Sequence, residues 1–337
     1  MRTPDMILRA QGFPTMIDVR GRNSIADLLP PSKRRPGLYA LEFANGSYYI
    51  GQALDPVRRF AQHRTNVGGI VRYAFQPCRS VHLNAAEKRS IRYAERCELP
   101  LTNRVHVSRV TGISDLDSVV SPLMQTRWTP GAPFREPKPV VLPPDSALRI
   151  RSCQRMERLE RDVHYPAVLA CLREFATCTP FPRSTQLSFW SLSCLPATGA
   201  GEYRRYAALS AAMMEVLVLG WFRSEPTSTW GFVNVSRSIC MQRYRTLGAL
   251  RKHLPYIRVS SERAYRDAGQ DQLRLQASSI EELTLLLQRR TIARAAGDLL
   301  LRLMRARPTI YSQYHCPDLA DAVLARTSKM QVRVARV

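Results

Sequence analysis

Residues 35–63 read RPGLYALEFANGSYYIGQALDPVRRFAQH, and this stretch decides the fold of the first part of the chain. LYALEF (38–43) has apolar residues at alternate positions, which is typical of a strand with one buried face. Asn45-Gly46 predicts a type I′ turn, in which both central residues have positive φ. SYYIG (47–51) then returns as the partner strand. We therefore predict an antiparallel hairpin.

Two helices are predicted after the hairpin. Asp55 followed by Pro56 is typical of a helix start, with an acceptor side chain at the N-cap and proline at the first helical position. The first helix is PVRRFAQHRT (56–65), and NAAEKRSIRYAERC (84–97) fits a second. In the second, Asn84 and Glu87 have the spacing of a capping box.

A closing strand and a lead-in complete this region. LTNRVHVSRV (101–110) is predicted as the last strand of a small α/β unit. Before the hairpin, residues 1–35 form a lead-in in which NSIADLL (23–29) predicts one short helix, with Asn23 or Ser24 as its N-cap.

The polar residues of this unit are the parts that a phosphodiesterase would use. Strand alternation allows Tyr39 and Tyr49 to project from one sheet face. Arg59 and His63, four residues apart, share a helix face, and Glu87 lies on the next helix. A guanidinium neutralises charge that develops on phosphate, and one carboxylate can hold Mg²⁺ while water fills the other positions. A tyrosine hydroxyl can relay a proton if its pKa is lowered.

These residues resemble the GIY-YIG endonuclease family over about residues 37–103. GLY (37–39) stands for the first triplet, with leucine for isoleucine, and YIG (49–51) is unchanged. Arg59 lies ten residues after Tyr49, and His63 follows four residues later, as in the homing-endonuclease-like branch. Glu87 with Ile91 fits the E-x-x-x-I pattern of the family's metal-binding glutamate. Asn103 fits the asparagine that often closes the core.

The resemblance implies a three-stranded antiparallel sheet flanked by helices, and cleavage of DNA phosphodiesters that depends on Mg²⁺ or Mn²⁺. By this resemblance Tyr49 or Tyr39 accepts a proton or orients water, Arg59 stabilises the transition state, and His63 assists proton transfer. Glu87 binds the metal. The predicted substrate contacts are Gly51, Gln52, Arg58 and Asn103, with Gly51 ending its strand and leaving space for a ligand.

Two departures concern the proton-transfer route. Some family members carry lysine just after YIG, where this chain has Gln52. Homing-type members also tend to carry a second histidine in the loop after the helix, and TNVGGIVRYAFQ (65–76) has none.

Each candidate also has an ordinary structural alternative. Tyr39 and Tyr49 could be strand tyrosines with buried rings, and Arg59 and His63 could be solvated helix residues. Glu87 could be the capping-box partner of Asn84. If all of these alternatives held, five residues with ordinary structural roles would have the spacing of the family's site residues by coincidence.

Charge suggests the class of partner. The 337 residues include 50 Lys+Arg against 27 Asp+Glu, a net charge of +23. This balance favours a polyanion, either nucleic acid or an acidic membrane surface, and with the resemblance we expect nucleic acid, most simply DNA, and no membrane partner. Only five of the 50 are lysine, so genome composition is the alternative explanation of the arginine content.

We predict four segments: a lead-in (1–35), a nuclease module (36–110), a linker (111–150) and a basic C-terminal domain (151–337). The linker has equal numbers of acidic and basic residues and contains TPGAPFREPKPVVLPP (129–144). So many prolines prevent a helix or strand ladder. The predicted fold class is α+β.

The C-terminal domain is predicted to be mainly α-helical. Apolar residues recur at steps of three and four after Ser146 and after Ser278. AALSAAMMEVLVLGWF (207–222) is predicted as a buried helix, too short for a membrane span, while WGFVNVSRSI (230–239) and YIRVS (256–260) are predicted as strands. The basic helix QRRTIARAAGDLLLRLMRARP (288–308) could lie along DNA or pack on its own domain.

The chain has no signal-peptide pattern at its start, so we expect a cytoplasmic protein whose eight cysteines are reduced.

Three functions remain open. The first is a divalent-metal-dependent endonuclease in which the C-terminal domain binds substrate. The second is a nucleic-acid-binding protein whose module has lost turnover. The third makes the C-terminal domain an interaction or oligomerisation module of a larger assembly.

Overall fold

The computed structural model of the chain describes residues 2–29, 35–126, 128, 146–179, 182–261 and 266–325. The described residues form a mixed α/β protein with antiparallel sheets, which agrees with the predicted mixture of helices and strands. The chain divides into two compact units. Unit 1 contains residues 1–113 and 266–270, and unit 2 contains residues 114–265 and 271–337. Of the predicted linker (111–150), the proline-rich stretch 129–144 lies outside the described residues. Residues 114–126, 128 and 146–150 are described and belong to unit 2, and they include two short helices (Asp115–Ser118 and Pro122–Thr126) and the start of a longer one.

Unit 1 is built on one antiparallel sheet between two helices. Its elements in chain order are α1 (Pro4–Arg9), β1 (Ile17–Asp18), β2 (Gly37–Phe43), β3 (Tyr48–Ala53), α2 (Pro56–Asn66), β4 (Ile70–Pro77) and α3 (Leu83–Arg96). The strand order is β1-β4-β2-β3, so β3 is an edge strand.

The predicted hairpin is confirmed in position, but its turn type is wrong. Gly46 has φ of +77°, whereas Asn45 is not among the residues with positive φ. Phe43 N donates to Ser47 O at 2.9 Å, and Gly46 N donates to Phe43 O at 2.9 Å. This is the three-residue loop in which one left-handed glycine follows an ordinary turn. The Asn45 side chain accepts from Ser47 N at 3.0 Å and holds the loop closed.

The start of α2 is confirmed in detail. Asp55 Oδ1 accepts from Val57 N at 3.1 Å and from Arg58 N at 3.2 Å, and Pro56 takes the first helical position. The start of α3 differs from the prediction. This helix begins at Leu83 after His82, and Asn84 lies inside its first turn. The capping-box explanation of Glu87 is therefore wrong.

The third long strand of the sheet is β4, not the predicted strand at residues 101–110. β4 pairs with β2 from Gly37↔Pro77 to Phe43↔Ile70. In the predicted region, Leu101 makes only an isolated parallel bridge to Tyr48. His106 has φ of +66°, which is incompatible with an extended strand.

The lead-in belongs to the core of unit 1 and is more structured than predicted. Thr3 caps α1, and β1 pairs with β4 at Ile17↔Tyr73 and Asp18↔Arg72. The predicted helix at 23–29 is a short 3₁₀ turn (26–28), and its N-cap residue is Ile25, not Asn23 or Ser24.

A segment distant in sequence completes unit 1. Residues 266–270 form a short 3₁₀ turn followed by Gly269, whose φ is +60°. A Cβ at Gly269 would lie 2.6 Å from the backbone of Val107 and Ser108. Glycine is therefore required where this segment packs against the chain after α3.

Unit 2 is organised around a six-stranded antiparallel sheet, so the prediction of a mainly α-helical domain is wrong about its architecture. The strand order is β5-β6-β7-β8-β10-β9. Its helices are α4 (Pro122–Thr126), α5 (Ala147–Glu160), α6 (Tyr165–Cys178), α7 (Arg237–Tyr244), α8 (Leu247–His253), α9 (Ile280–Leu287), α10 (Arg290–Ala306) and α11 (Pro317–Leu324). Its strands are β5 (Trp190–Cys194), β6 (Tyr203–Ala211), β7 (Met214–Phe222), β8 (Thr229–Val235), β9 (Arg258–Ser260) and β10 (Leu273–Ala277).

The largest error concerns residues 207–222, predicted as one helix. They lie in the β6–β7 hairpin, which turns at Ala212 with φ of +51°. β8 and β9 confirm the two predicted strands, and α5, α6, α9 and α10 confirm the helical periodicity. The basic helix α10 packs on its own unit: Arg302 is 5% exposed and forms ion pairs with Asp298 and Asp271.

No helix among the described residues is long and apolar enough to cross a membrane. All eight cysteines lie in the described part of the chain and are free thiols.

Candidate active site

The sheet of unit 1 separates two groups of predicted site residues. The β2–β3 register pairs Tyr39 with Gly51 and Leu41 with Tyr49, so both tyrosine side chains point to the same face. That face packs against α2 through Phe60. The opposite face packs against α3, which carries Glu87.

The first group consists of Tyr39, Arg59 and His63, and the Tyr39 hydroxyl contacts both of the other side chains. It accepts a hydrogen bond from Arg59 Nε at 3.2 Å and lies 2.9 Å from His63 Nε2. A hydroxyl that accepts from arginine can donate its own proton to a neutral imidazole. Arg59 and His63 are one turn apart on α2, so the Asp55 cap that begins the helix also sets their orientation.

Burial determines the protonation of this group. Desolvation, together with the nearby Arg59 charge, lowers the pKa of His63 to about 4, so the imidazole is neutral at pH 7. Burial raises the pKa of Tyr39 above its ordinary value, and the Tyr49 ring adds to this effect. The hydrogen bond that Arg59 donates to the Tyr39 hydroxyl raises the pKa of Arg59.

This result changes the predicted role of Tyr39. Its side chain is 1% exposed, and its phenol stays protonated across the physiological range. Tyr39 is thus a poor proton acceptor and is placed to orient Arg59 and His63. Tyr49 is half-buried, and its ring lies 4.8 Å from the His63 ring and 6.0 Å from the Tyr39 ring. Of the two tyrosines, Tyr49 is the one that substrate or water can reach.

Gly51 has a different role from the predicted one. β3 continues to Ala53, so Gly51 does not end the strand. A Cβ there would lie 2.5 Å from the Tyr39 hydroxyl and 2.6 Å from the Tyr49 ring. The missing side chain makes room for these two rings and not for a ligand.

Glu87 forms the second group with Gln52 and Asn84. The Gln52 amide nitrogen lies 3.0 Å from Glu87 Oε2 and 2.6 Å from Asn84 Oδ1. Glu87 is 8% exposed, whereas Asn84 is exposed at the start of α3. The amide nitrogen of Gln52 thus occupies the point on which two oxygen atoms converge.

The two groups flank consecutive residues of one edge strand. Gly51 contacts Tyr39 and Tyr49 on one side of β3, and Gln52 contacts Glu87 on the other. Residues 100–103 cover the outer edge of β3 at Tyr48 and Ile50, so the two groups meet at this edge only beyond Ile50, around Gly51 and Gln52.

The donor set is compatible with Mg²⁺ or Mn²⁺ and not with a closed metal cage. Among the described residues, no three His, Cys, Asp or Glu side chains gather at one place. Mg²⁺ prefers oxygen ligands and usually keeps several waters. Glu87 and Asn84 would hold such an ion, with Gln52 displaced from between them. Sequence reasoning missed Asn84 as a candidate ligand, although its spacing of three residues from Glu87 places both on one helix face.

The other predicted substrate contacts have distinct positions. Arg58 is exposed on α2 and available to phosphate. Asn103 is 2% exposed, and both ends of its amide are used by Ile50: Oδ1 accepts from the backbone N at 3.1 Å, and Nδ2 donates to the backbone O at 2.7 Å. Asn103 therefore holds β3 in place and is not positioned to contact the substrate.

Comparisons of this chain with protein-family models, with curated proteins and with solved structures found no match.

Proposed function

We propose that unit 1 is a GIY-YIG-type nuclease module that hydrolyses phosphodiester bonds in DNA with the help of Mg²⁺ or Mn²⁺. The observation that carries the proposal is the hydrogen-bonded group of Tyr39, Arg59 and His63, which lies across one edge strand from the Glu87–Gln52–Asn84 group. A packing role alone would not require a buried hydroxyl held between a guanidinium and an imidazole.

In this proposal the chain's own residues divide the work between charge and proton transfer. Arg59, oriented by Tyr39, neutralises charge that develops on the phosphate. Neutral His63 holds the Tyr39 hydroxyl at Nε2 and lies beside the Tyr49 ring, so it assists proton transfer by orienting Tyr49 or a water. A bound divalent ion would polarise a phosphate oxygen. Exposed Arg58 and the basic residues of unit 2 add phosphate contacts.

The test is nicking of supercoiled plasmid DNA in Mg²⁺, with Arg59→Ala and Glu87→Gln as site variants. We expect each to lose at least about a hundredfold in rate, since single electrostatic contacts to a transition state contribute on that order. Arg20→Ala and Glu98→Gln are matched controls, because both residues are exposed and outside the two groups. Wild-type rates in both site variants would overturn the proposal.

A second candidate function is nucleic-acid binding without turnover. The Gln52–Glu87 hydrogen bond favours it, because a carboxylate already engaged by an amide is less available to a cation. The same assay separates the two candidates. Salt-sensitive DNA binding with no strand breaks in Mg²⁺ or Mn²⁺ would support binding alone.

A further inference from the structure

A cavity of about 500 Å³ opens in unit 2, and none of the candidate site residues of unit 1 lines it. Its size is within the range of small-molecule sites. It is formed by the C-terminal end of α5, the loop between β5 and β6, and the adjoining ends of β6 and β7. The lining residues are Arg158, Asp162, Leu195, Pro196, Ala197, Thr198, Gly199, Ala200, Arg204, Arg205 and Trp221.

The cavity lining contains three arginines and one carboxylate. Arg205 is paired with Glu215 and contributes little. Arg204 donates to Thr198 Oγ1 at 2.9 Å and to the Gly199 carbonyl, both of which are uncharged acceptors. Arg158 is exposed on the last turn of α5 and has no ion pair with any described residue.

The one acidic residue of the lining is engaged elsewhere. Asp162 Oδ1 accepts a hydrogen bond from the His164 backbone N at 2.9 Å. The Asp162 carboxylate also faces Tyr206, where it adds to the burial that raises the pKa of that phenol. Hydrogen bonds from neutral donors do not cancel this carboxylate, so the positive balance of the lining is the excess of Arg158 and Arg204 over Asp162.

Trp221 supplies a flat aromatic wall. It is half-buried, and its ring packs against the Tyr206 ring with centroids 4.4 Å apart and planes tilted by 30°. Tyr206 is itself 1% exposed, so the indole has a fixed support behind it. An aromatic ring held beside arginines is the combination with which proteins bind nucleotides: bases stack on the ring, and the guanidinium groups bind phosphate.

We infer that this cavity is a nucleotide-binding pocket of unit 2, in which a base stacks on Trp221 and Arg158 and Arg204 hold the phosphate. The ligand class is one nucleoside monophosphate unit, either free or as an unpaired nucleotide of a strand. The pocket lies in unit 2 and uses none of the unit 1 residues proposed for cleavage. The inference therefore goes beyond the proposed function and can be tested separately.

The experiment measures binding to the full chain in EDTA, where no metal-dependent cleavage occurs. Calorimetry with dAMP reports the free nucleotide, and fluorescence anisotropy with a labelled short oligodeoxyadenylate reports the strand. We expect Arg158→Ala and Trp221→Leu each to weaken binding by about tenfold or more, since a single base–aromatic stack contributes on that order. Arg151→Ala is the matched control, because Arg151 is exposed on the same helix and does not line the cavity.

Arg158→Ala keeps the test independent of folding, since Arg158 is exposed, whereas Trp221→Leu also changes packing against Tyr206. Binding of dAMP that both variants weaken supports the pocket, and strand binding that dAMP competes away shows that the strand uses it too. Strand binding alone, weakened by both variants, supports the strand as the source. Failure of both probes to bind, or unchanged affinity in Arg158→Ala, overturns the inference. If inorganic phosphate displaces the labelled strand as well as dAMP does, the base contributes nothing to binding, and the stacking role of Trp221 is overturned. Glu87→Gln should bind dAMP like the parent, whatever its nicking activity.

Discussion

The Tyr39 hydroxyl lies 2.9 Å from His63 Nε2 and accepts a hydrogen bond from Arg59, so one buried phenol orients two polar groups of the candidate site. The three side chains come from a strand and a helix that meet at one sheet face. Their arrangement depends on that packing and on the helix cap at Asp55.

Removal of the Tyr39 hydroxyl tests this arrangement. Tyr39→Phe keeps the ring but leaves Arg59 Nε and His63 Nε2 without this partner. We expect a loss of about 1–2 kcal/mol in the free energy of unfolding and a reduction in nicking of at least about tenfold. Urea denaturation and the plasmid assay measure the two effects. Tyr93→Phe is a control for stability, because that hydroxyl accepts only an exposed hydrogen bond from Arg2. Unchanged stability and activity in Tyr39→Phe would contradict the orienting role.

The depressed pKa of His63 predicts a pH dependence of stability. The folded-state pKa is about 4 and the ordinary value is 6.5, so the unfolded chain binds the proton more readily between these two values. The stability that neutral, buried His63 contributes to the folded state is complete above pH 6.5 and is lost progressively as the pH falls towards 4. The same sign applies to buried His315, whose pKa burial lowers to about 4. We expect His63→Gln to lose less stability between pH 7 and pH 4.5 than the parent, as measured by urea midpoints at each pH. An equal loss in both proteins would show that His63 is not responsible.

Gly51→Ala tests the close packing of the two tyrosines. The added methyl group would meet the Tyr39 hydroxyl at 2.5 Å and the Tyr49 ring at 2.6 Å. We expect destabilisation of about 1–3 kcal/mol from overpacking, together with impaired nicking because both rings must move. Gly248→Ala is the contrast within unit 2: the nearest atom to its Cβ would be Thr246 Oγ1 at 3.8 Å. That substitution should be neutral or stabilising in a helix. Thermal denaturation of both variants gives the comparison.

Gln52→Ala should make the candidate metal ligands more available. Without the amide nitrogen between them, Asn84 Oδ1 and Glu87 Oε2 lose a competing donor. We expect nicking to reach half of its maximal rate at a Mg²⁺ concentration several-fold lower than in the parent. Asn84→Ala should shift this concentration in the opposite direction, and EDTA should abolish nicking in all variants. Gln242→Ala is a control, because Gln242 is exposed on α7 and lies outside both groups. An unchanged metal requirement in both Gln52→Ala and Asn84→Ala would exclude this pair as ligands.

Local chemistry explains which parts of the fold were predictable. The β2–β3 hairpin and the start of α2 depend on Asn45-Gly46 and on Asp55-Pro56, whose preferences act over a few residues. The spacing of Arg59 and His63 on α2 follows in the same way.

The failures arise where tertiary packing decides. Residues 207–222 form a continuous apolar run because the β6–β7 hairpin is buried on both faces, and such a run lacks the alternation that identifies a strand. The turn uses Ala212 in a left-handed conformation, without the glycine, asparagine or proline that would predict it. Asn103 closes β3 with a side chain in place of a strand, which no backbone periodicity can reveal.

The position of Gly269 has a practical consequence for dissecting the protein. Cutting the chain near Ile113 does not isolate the proposed nuclease, because residues 266–270 belong to the same compact unit and reach it from far along the sequence. A truncated fragment ending there would expose the backbone of Val107 and Ser108 that Gly269 now covers. Expression of the isolated module would therefore call for a circularly permuted or fused design that supplies this short peptide, and simple deletion should yield an aggregation-prone fragment.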